Sequence, residues 1–234
     1  MKVCVVIPTY NERDSIKTLI PAVFRAGVPA ELHVLVVDDN SPDGTAQEVQ
    51  RLQKVFPRLH LLSRSKKQGL GAAYIAGMQH ALTTLNPGII FEMDADFSHD
   101  PNDLARLFAA TKDHELVIGS RYVPGGSIIG WNVWRKLVSA GGNVMSRTVA
   151  RLPIHDCTAG FRAWDAALVQ RIGLEKLNVT GYAFQLSSLH SAHRLGARIT
   201  EIPVTFTERR EGKSKMRTSD IIEFVLTSVR LGFR

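Results

Sequence analysis

Five short apolar runs, separated by segments of helical spacing, constrain this chain more than any other feature. The runs are Val3 to Ile7, Leu32 to Val37, Leu59 to Leu62, Ile89 to Met93 and Leu116 to Ile118. Between them, helices are predicted over Ile16 to Arg25, Thr45 to about Val55, Gly71 to about Leu82 and Pro101 to Ala110. The first carries Leu19, Ile20, Val23 and Phe24 on one face. Strand–helix alternation at this spacing predicts an α/β fold with a mostly parallel sheet and right-handed crossovers. In such sheets ligands bind beyond the carboxyl ends of the strands, so the residues after each run become the candidate site.

The fourth run ends in the most informative of these stretches, Gly88-Ile-Ile-Phe-Glu-Met-Asp-Ala-Asp-Phe-Ser-His-Asp100. Asp94 and Asp96, one residue apart at a strand end, suit a hard divalent cation held together with substrate phosphates. Asp100 reads differently, as a cap for a helix opening near Pro101. A calcium-binding hand is excluded, because counting from Asp94 its sixth and twelfth positions hold His99 and Ala105 instead of Gly and Glu.

Other strand ends add polar groups at the same address. Pro8-Thr9-Tyr10-Asn11-Glu12 pairs an aromatic ring with a carboxylate, a combination able to hold a base and a ribose. Asp38-Asp39 ends the second run, and Asp39 is the expected ligand-facing carboxylate, since acidic residues there receive ribose hydroxyls in nucleotide folds. Gln68-Gly-Leu-Gly-Ala-Ala73 half-matches a dinucleotide fingerprint, but Tyr74 takes the third glycine's place and the segment does not follow the first strand. An oxidoreductase is therefore not expected. Arg121 and the cluster Arg209 to Arg217 are candidate anion clamps, and Gly212 and Ser214 suggest a loop closing over substrate.

After Arg121 the alternation lapses. Ile128 to Leu152 reads as a long helical segment interrupted near Gly141-Gly142, with Trp131, Trp134, Leu137 and Val138 beside Arg135 and Lys136. Exposed, it would lie at a membrane interface; with its apolar side covered, it would be an ordinary packed helix. The sequence leaves both open. A helix over Tyr182 to Leu195, a strand over Ile199 to Phe206 and a final helix over Asp220 to Phe233 complete the expectation.

With 234 residues and a formal charge of +7, the chain can bury a sizeable core and suits an anionic partner. Two cysteines, Cys4 and Cys157, make neither a disulfide framework nor a zinc spacing and point to a reducing compartment. The first run is too short for a secretory signal, and no run approaches the roughly 18 apolar residues of a membrane span, so a soluble or peripheral protein is expected. Nucleic acid is not an expected partner, because the basic residues are not interleaved with stacking aromatics.

Taken in order, these segments resemble the family 2 glycosyltransferases, and among them the dolichol-phosphate (polyprenol-phosphate) mannose synthases. The resemblance rests on PTYNE at 8–12, DDNSPDGT at 38–45, GLGAAY at 69–74, MDADFSHDP at 93–101 and GSRYVPGG at 119–126. It continues through WRKLVSAGGN at 134–143, DCTAGFR at 156–162, GYAFQ at 181–185 and the R-x-x-x-x-x-K pattern at 209–215. It implies one GT-A-like catalytic domain, residues 1–125 forming a nucleotide-sugar half and 126–234 an acceptor-binding, membrane-facing half. It further implies inverting, metal-dependent transfer of mannose from GDP-mannose to a polyprenyl or dolichyl phosphate, with UDP-glucose or another nucleotide sugar as the alternative donor. A non-catalytic nucleotide-sugar-binding subunit is the alternative outside enzymes.

Carried over by residue, the resemblance gives Pro8, Tyr10, Glu12, Val37 and Asp39 to the guanosine. Asp94, Ala95 and Asp96 would hold the diphosphate and sugar through Mg²⁺ or Mn²⁺, with Ser98 as a further ligand where relatives often have glutamine. Arg121, Arg135, Ser139 and Arg209 would receive the lipid phosphate, and Lys215 the donor phosphates. Ser187 stands where relatives usually carry glutamate. The resemblance also implies a cytoplasmic protein, peripheral at the membrane's cytoplasmic face, with a possible separate membrane-anchoring subunit.

Overall fold

The computed structural model describes residues 1–177, 181, 183–208 and 218–233, the side chains of 218–222 excepted. Its first half follows the predicted alternation: β1 (Lys2–Thr9), α1 (Arg13–Phe24), β2 (Glu31–Asp38), α2 (Thr45–Gln53), β3 (Leu59–Ser63), α3 (Leu70–His80), β4 (Ile89–Glu92), α4 (Asp103–Ala110) and β5 (Leu116–Ser120). A single π-helical turn, Ala81–Leu85, prolongs α3. The later elements are β6 (Ser127–Ile129), α5 (Val133–Val149), β7 (Arg162–Asp165), α6 (Ala166–Ile172), α7 (Ala183–Arg194), β8 (Ile199–Pro203), β9 (Thr205–Thr207) and α8 (Thr218–Gly232).

The main sheet has the order β3-β2-β1-β4-β7-β5-β8, all parallel except β7, which runs antiparallel to both β4 and β5. β6 and β9 form a small parallel pair. Along β1 the side chains alternate between faces with period two. Val3, Val5 and Ile7 pack with α1's Ile16, Leu19 and Ile20, while Cys4 and Val6 pack with α3's Tyr74 and Met78. Both faces are thus covered, which is why β1 and β2 read as continuous apolar runs. Gly77 lets α3 lie close on the sheet: a Cβ there would stand 2.5 Å from Val6 Cγ1 and 2.7 Å from Val37 Cγ2.

Several expectations are corrected. The segment predicted as helix from Ile128 begins as strand β6, and α5 then continues unbroken through Gly141-Gly142. Gly142 sits under Phe224 of α8, whose ring lies 3.6 Å from where its Cβ would be, so the glycine serves close helix approach. The run Ile199 to Phe206 is two strands in two sheets, β8 and β9. Strand β7 and helix α6 were not predicted. Asp100 accepts from the backbone N–H of Asn102 at 2.9 Å, so it orders the turn preceding α4 rather than capping a helix that opens at Pro101.

Candidate active site

The carboxyl ends of β1, β2 and β4 lie side by side, because Thr9 is in register with Asp38 and Val6 with Glu92. This brings the sequence-predicted residues Tyr10, Glu12, Asp39, Asp94 and Asp96 to one edge. Asp38 is a scaffold: Thr9 Oγ1 donates to its Oδ1 at 3.0 Å and the Ser41 backbone to its Oδ2 at 3.0 Å. Asp39 is buried and paired with Arg64 at 2.6 Å, and it accepts the Gln68 backbone N–H at 3.2 Å. Burial raises the Asp39 pKa against the pull of Arg64. Lys67 Nζ stands 3.9 Å over the Tyr10 ring. Val37 is fully buried in the core, so its side chain faces the sheet's interior; Pro8 is half-buried beside it.

Past β4 the chain turns sharply. Phe97 takes φ +60°, a conformation disfavoured for a bulky residue, and it separates Asp96 from Ser98. Asp94 Oδ1 accepts the buried Tyr74 hydroxyl at 3.0 Å, and its backbone N–H donates to His99 Nδ1 at 3.1 Å. Asp96 Oδ1 accepts the Ser98 N–H at 3.1 Å. The Ser98 hydroxyl is buried with no hydrogen-bond partner, an orphaned oxygen on the residue whose N–H binds Asp96. Hard oxygen donors in this arrangement fit Mg²⁺ or Mn²⁺ completed by phosphate oxygens. Burial, and then the charge of Asp94, push the Tyr74 pKa well above its ordinary value, so Tyr74 stays a neutral donor. Burial lowers the pKa of His99 against the opposing charges of Asp94 and Asp96.

Beneath this edge lies a buried polar group that the sequence reading missed. Glu92 accepts Trp164 Nε1–H at 2.6 Å and the Gln185 side-chain amide. In register with it on β7 is Arg162, which donates to the carbonyls of Gln185 at 2.8 Å and Cys157 at 3.0 Å. Burial raises Glu92 to about 7, despite Arg162. No apolar pattern announces such a strand; the run GFRAW gave the signal, a charged residue inside an otherwise apolar stretch.

Next to Asp94 opens a cavity of about 360 Å³. Arg121, Arg135 and Ser139, three predicted phosphate contacts, line it with His99 and Gln185. Its far walls are apolar: Trp131, Val138 and Met145 on the α5 side, Phe206 from β9, Phe224 and Val225 from α8. Arg121 is gripped by Asp156, Nε to Oδ2 and Nη2 to Oδ1 both at 2.7 Å, and Nη2 also reaches Thr158 at 2.7 Å. Arg135 stacks 4.1 Å over Trp131 and pairs with Glu208 at 2.9 Å. Asp156 and His99 were not singled out by residue type, although both stand in motifs that carried the resemblance. Arg209 and Lys215, and the basic loop around them, lie outside the described residues.

Outside the cavity, α5 exposes Val133, Trp134 and Leu137, and the adjoining α8 exposes Leu226, with Phe233 exposed just past its end. The α5 segment thus combines both readings in part: it packs against α8 and the cavity while Val133, Trp134 and Leu137 remain exposed. No helix among the described residues is long and apolar enough to cross a membrane.

A mostly parallel sheet with nucleotide-type residues and paired aspartates at its carboxyl edge, beside an arginine-lined cavity, defines a glycosyltransferase of GT-A-like fold. The chain belongs to glycosyl transferase family 2, whose model matches residues 4–173. It is 43% identical over 99% of its length to the undecaprenyl-phosphate mannosyltransferase of Micrococcus luteus, spanning 94% of that protein. It is 42% identical to the polyprenol monophosphomannose synthase of Mycolicibacterium smegmatis, over 98% of this chain and 86% of that one. The fold is also similar to a mannosyltransferase of Pyrobaculum calidifontis in complex with GDP-Man and Mn²⁺, at TM-score 0.62 and 21% identity, over 98% of this chain and 69% of that one. Glucosyl-3-phosphoglycerate synthase of Mycobacterium tuberculosis in complex with UDP gives TM-score 0.71 at 17% identity, covering 99% and 80%.

Proposed function

We propose that this enzyme transfers mannose from GDP-mannose to a polyprenyl phosphate, with inversion at the sugar and dependence on Mg²⁺ or Mn²⁺. The observation that carries this reading is the cavity beside Asp94, which joins Arg121, Arg135 and Ser139 to apolar walls. A phosphate with a hydrocarbon tail matches both surfaces at once. The names of the two relatives above 40% identity support the acceptor and the sugar.

In this reading residues 1–125 bind the donor. Tyr10, Glu12 and Asp39 face the guanosine, with Pro8 and Val37 shaping the strand ends around it. Asp94, Ala95 and Asp96 receive the sugar diphosphate, and Asp94, Asp96 and the orphaned Ser98 hydroxyl would hold the metal. Bound there, the metal supplies positive charge to the leaving diphosphate. Residues 126–234 bind the acceptor, with Arg135, Ser139 and Arg209 joining Arg121 of the first half on its phosphate, and Lys215 reaching the donor phosphates. The acceptor oxygen is already ionised near neutral pH, so no side chain has to deprotonate it. It attacks the anomeric carbon as the bond to the diphosphate breaks, and GDP departs. Catalysis is then a matter of holding two anions in line and excluding water.

The exposed apolar residues of α5 and α8 flank this cavity, and on this account they rest on the cytoplasmic face of the membrane that holds the acceptor. Any separate anchoring subunit would supplement that contact. The test is transfer of labelled sugar from GDP-mannose, UDP-glucose and UDP-galactose to farnesyl phosphate, with Mn²⁺ or with chelator. Lipid-linked mannose formed from GDP-mannose only with metal is expected. Transfer from a UDP-sugar instead overturns the donor, and metal-independent transfer overturns the role given to the aspartates.

A further inference from the structure

We propose that His99 is a further phosphate-binding residue of the acceptor site, its neutral imidazole donating Nε2–H to an oxygen of the lipid phosphate. The proposal rests on the acceptor assignment above and adds to it a donor that carries no charge.

The ring is held on every side but one. It is 4% exposed, stacked on Phe161 at 4.8 Å between centroids, with Phe206 edge-on at 5.7 Å. Nδ1 receives the backbone N–H of Asp94. A nitrogen that accepts cannot also carry a proton, so the ring proton sits on Nε2. That nitrogen makes no hydrogen bond with a described residue, and the ring lines the cavity together with Arg121 and Arg135. An N–H that opens on the cavity without a protein partner is available to a ligand oxygen.

The cavity's own charges explain why a phosphate needs this extra donor. Arg121 commits Nε and Nη2 to Asp156 and Thr158, which leaves it only Nη1 for a ligand. Its charge is matched by Asp156, as that of Arg135 is by Glu208. Among the described residues little net positive charge therefore remains to hold a phosphate, so hydrogen-bond donors add to what Arg209 contributes in this reading. A neutral donor also suits the chemistry. An imidazolium would pass its proton to the attacking oxygen and quench it, whereas neutral Nε2–H orients that oxygen and leaves its charge in place.

Two substitutions separate this role from simple support of the Asp94 loop. In His99→Asn the side-chain oxygen can still accept the Asp94 N–H, but the Nε2 donor is gone. In His99→Gln the amide nitrogen reaches the Nε2 position, but the Nδ1 acceptor is gone. The assay is steady-state mannose transfer to farnesyl phosphate, varying each substrate. The proposal expects His99→Asn to lower kcat/KM for the lipid phosphate roughly tenfold or more, with KM for GDP-mannose within twofold, and His99→Gln to recover most of the loss. Full activity in His99→Asn with loss in His99→Gln overturns it, leaving His99 as support for Asp94.

A measurement on the unsubstituted enzyme covers the case in which the variants do not fold. Long-range ¹H–¹⁵N correlation should show a histidine protonated at Nε2 whose Nε2 signal moves when farnesyl phosphate is added in the presence of GDP and diamagnetic Mg²⁺. No such shift at saturating lipid phosphate overturns the proposal. If the unsubstituted enzyme itself transfers no mannose to farnesyl phosphate, it is the acceptor assignment that has failed, and that result is separate from either pattern in the variants.

Discussion

Arg121 and Asp156 form a two-pronged ion pair, closed by Nε–Oδ2 and Nη2–Oδ1 contacts of 2.7 Å and by the Arg121 backbone N–H donating to Oδ2 at 3.0 Å. Burial opposes the Asp156 charge, but Arg121 outweighs it and the carboxyl pKa is lowered. The pair's stability is therefore present above the ordinary carboxylate range and is lost as pH falls through the lowered value.

Asp156→Asn should leave the Arg121 guanidinium buried without its counter-charge. A loss of about 3 kcal/mol in unfolding free energy is expected, in the range seen when one partner of a buried pair is removed. Urea unfolding at pH 7 checks the loss. The farnesyl phosphate KM should rise as Arg121 loses its orientation, while GDP affinity, measured by calorimetry, stays within about twofold.

The Tyr74 hydroxyl donating to Asp94 Oδ1 orients a carboxylate assigned to the metal. Tyr74→Phe keeps the ring stacked near Phe184 and removes only that bond. The Mn²⁺ concentration for half-maximal transfer should rise roughly tenfold, the usual scale for losing a group that orients a ligand. Asp96→Ala should lower transfer by at least about a hundredfold at any metal concentration. An unchanged metal curve in Tyr74→Phe would remove its orienting role.

Glu92 offers a pH prediction. Its folded pKa, about 7, lies above the ordinary 4.5, with burial as the cause. The folded state therefore prefers the protonated form, and stability falls as pH rises from about 4.5 to about 7. The stability of the native protein should fall over that window by roughly 1–3 kcal/mol relative to Glu92→Gln, which cannot ionise. Parallel denaturant curves at pH 5 and pH 7.5 check this; an equal pH slope in both proteins contradicts it.

The proposed membrane contact can be tested at Trp134, 74% exposed, and Leu137, 60% exposed. The double variant Trp134→Glu, Leu137→Glu should fall off anionic vesicles in a sedimentation assay while retaining GDP binding. If it sediments as the native protein does, α5 is not the contact.

The fold of the first half was legible because its signals are local. β1, β2 and β4 are buried on both faces and so spell themselves as Val/Ile/Leu runs, and their carboxylates follow within a few residues. The second half depends on partners remote in sequence. β7 holds a buried arginine, tolerable only because Glu92 lies across from it on β4 and the carbonyls of Cys157 and Gln185 receive it. Gly141-Gly142 looks like a break until α8 is laid against α5. His99 was passed over because its ring is turned to Asp94 by a turn at Phe97 that no periodicity foretells, and Asp156 because its partner lies 35 residues away.

The most direct test of the central claim is the linkage and configuration of the product. Unsubstituted enzyme, GDP-mannose, Mn²⁺ and farnesyl phosphate should give farnesyl phosphate carrying mannose on a phosphate oxygen in the β configuration, opposite to the α linkage of the donor. The one-bond carbon–proton coupling at the anomeric centre of the purified lipid distinguishes the two. A β product confirms a phosphate oxygen attacking in a single displacement within this cavity. An α product, or mannose released to water with the lipid phosphate untouched, would contradict it.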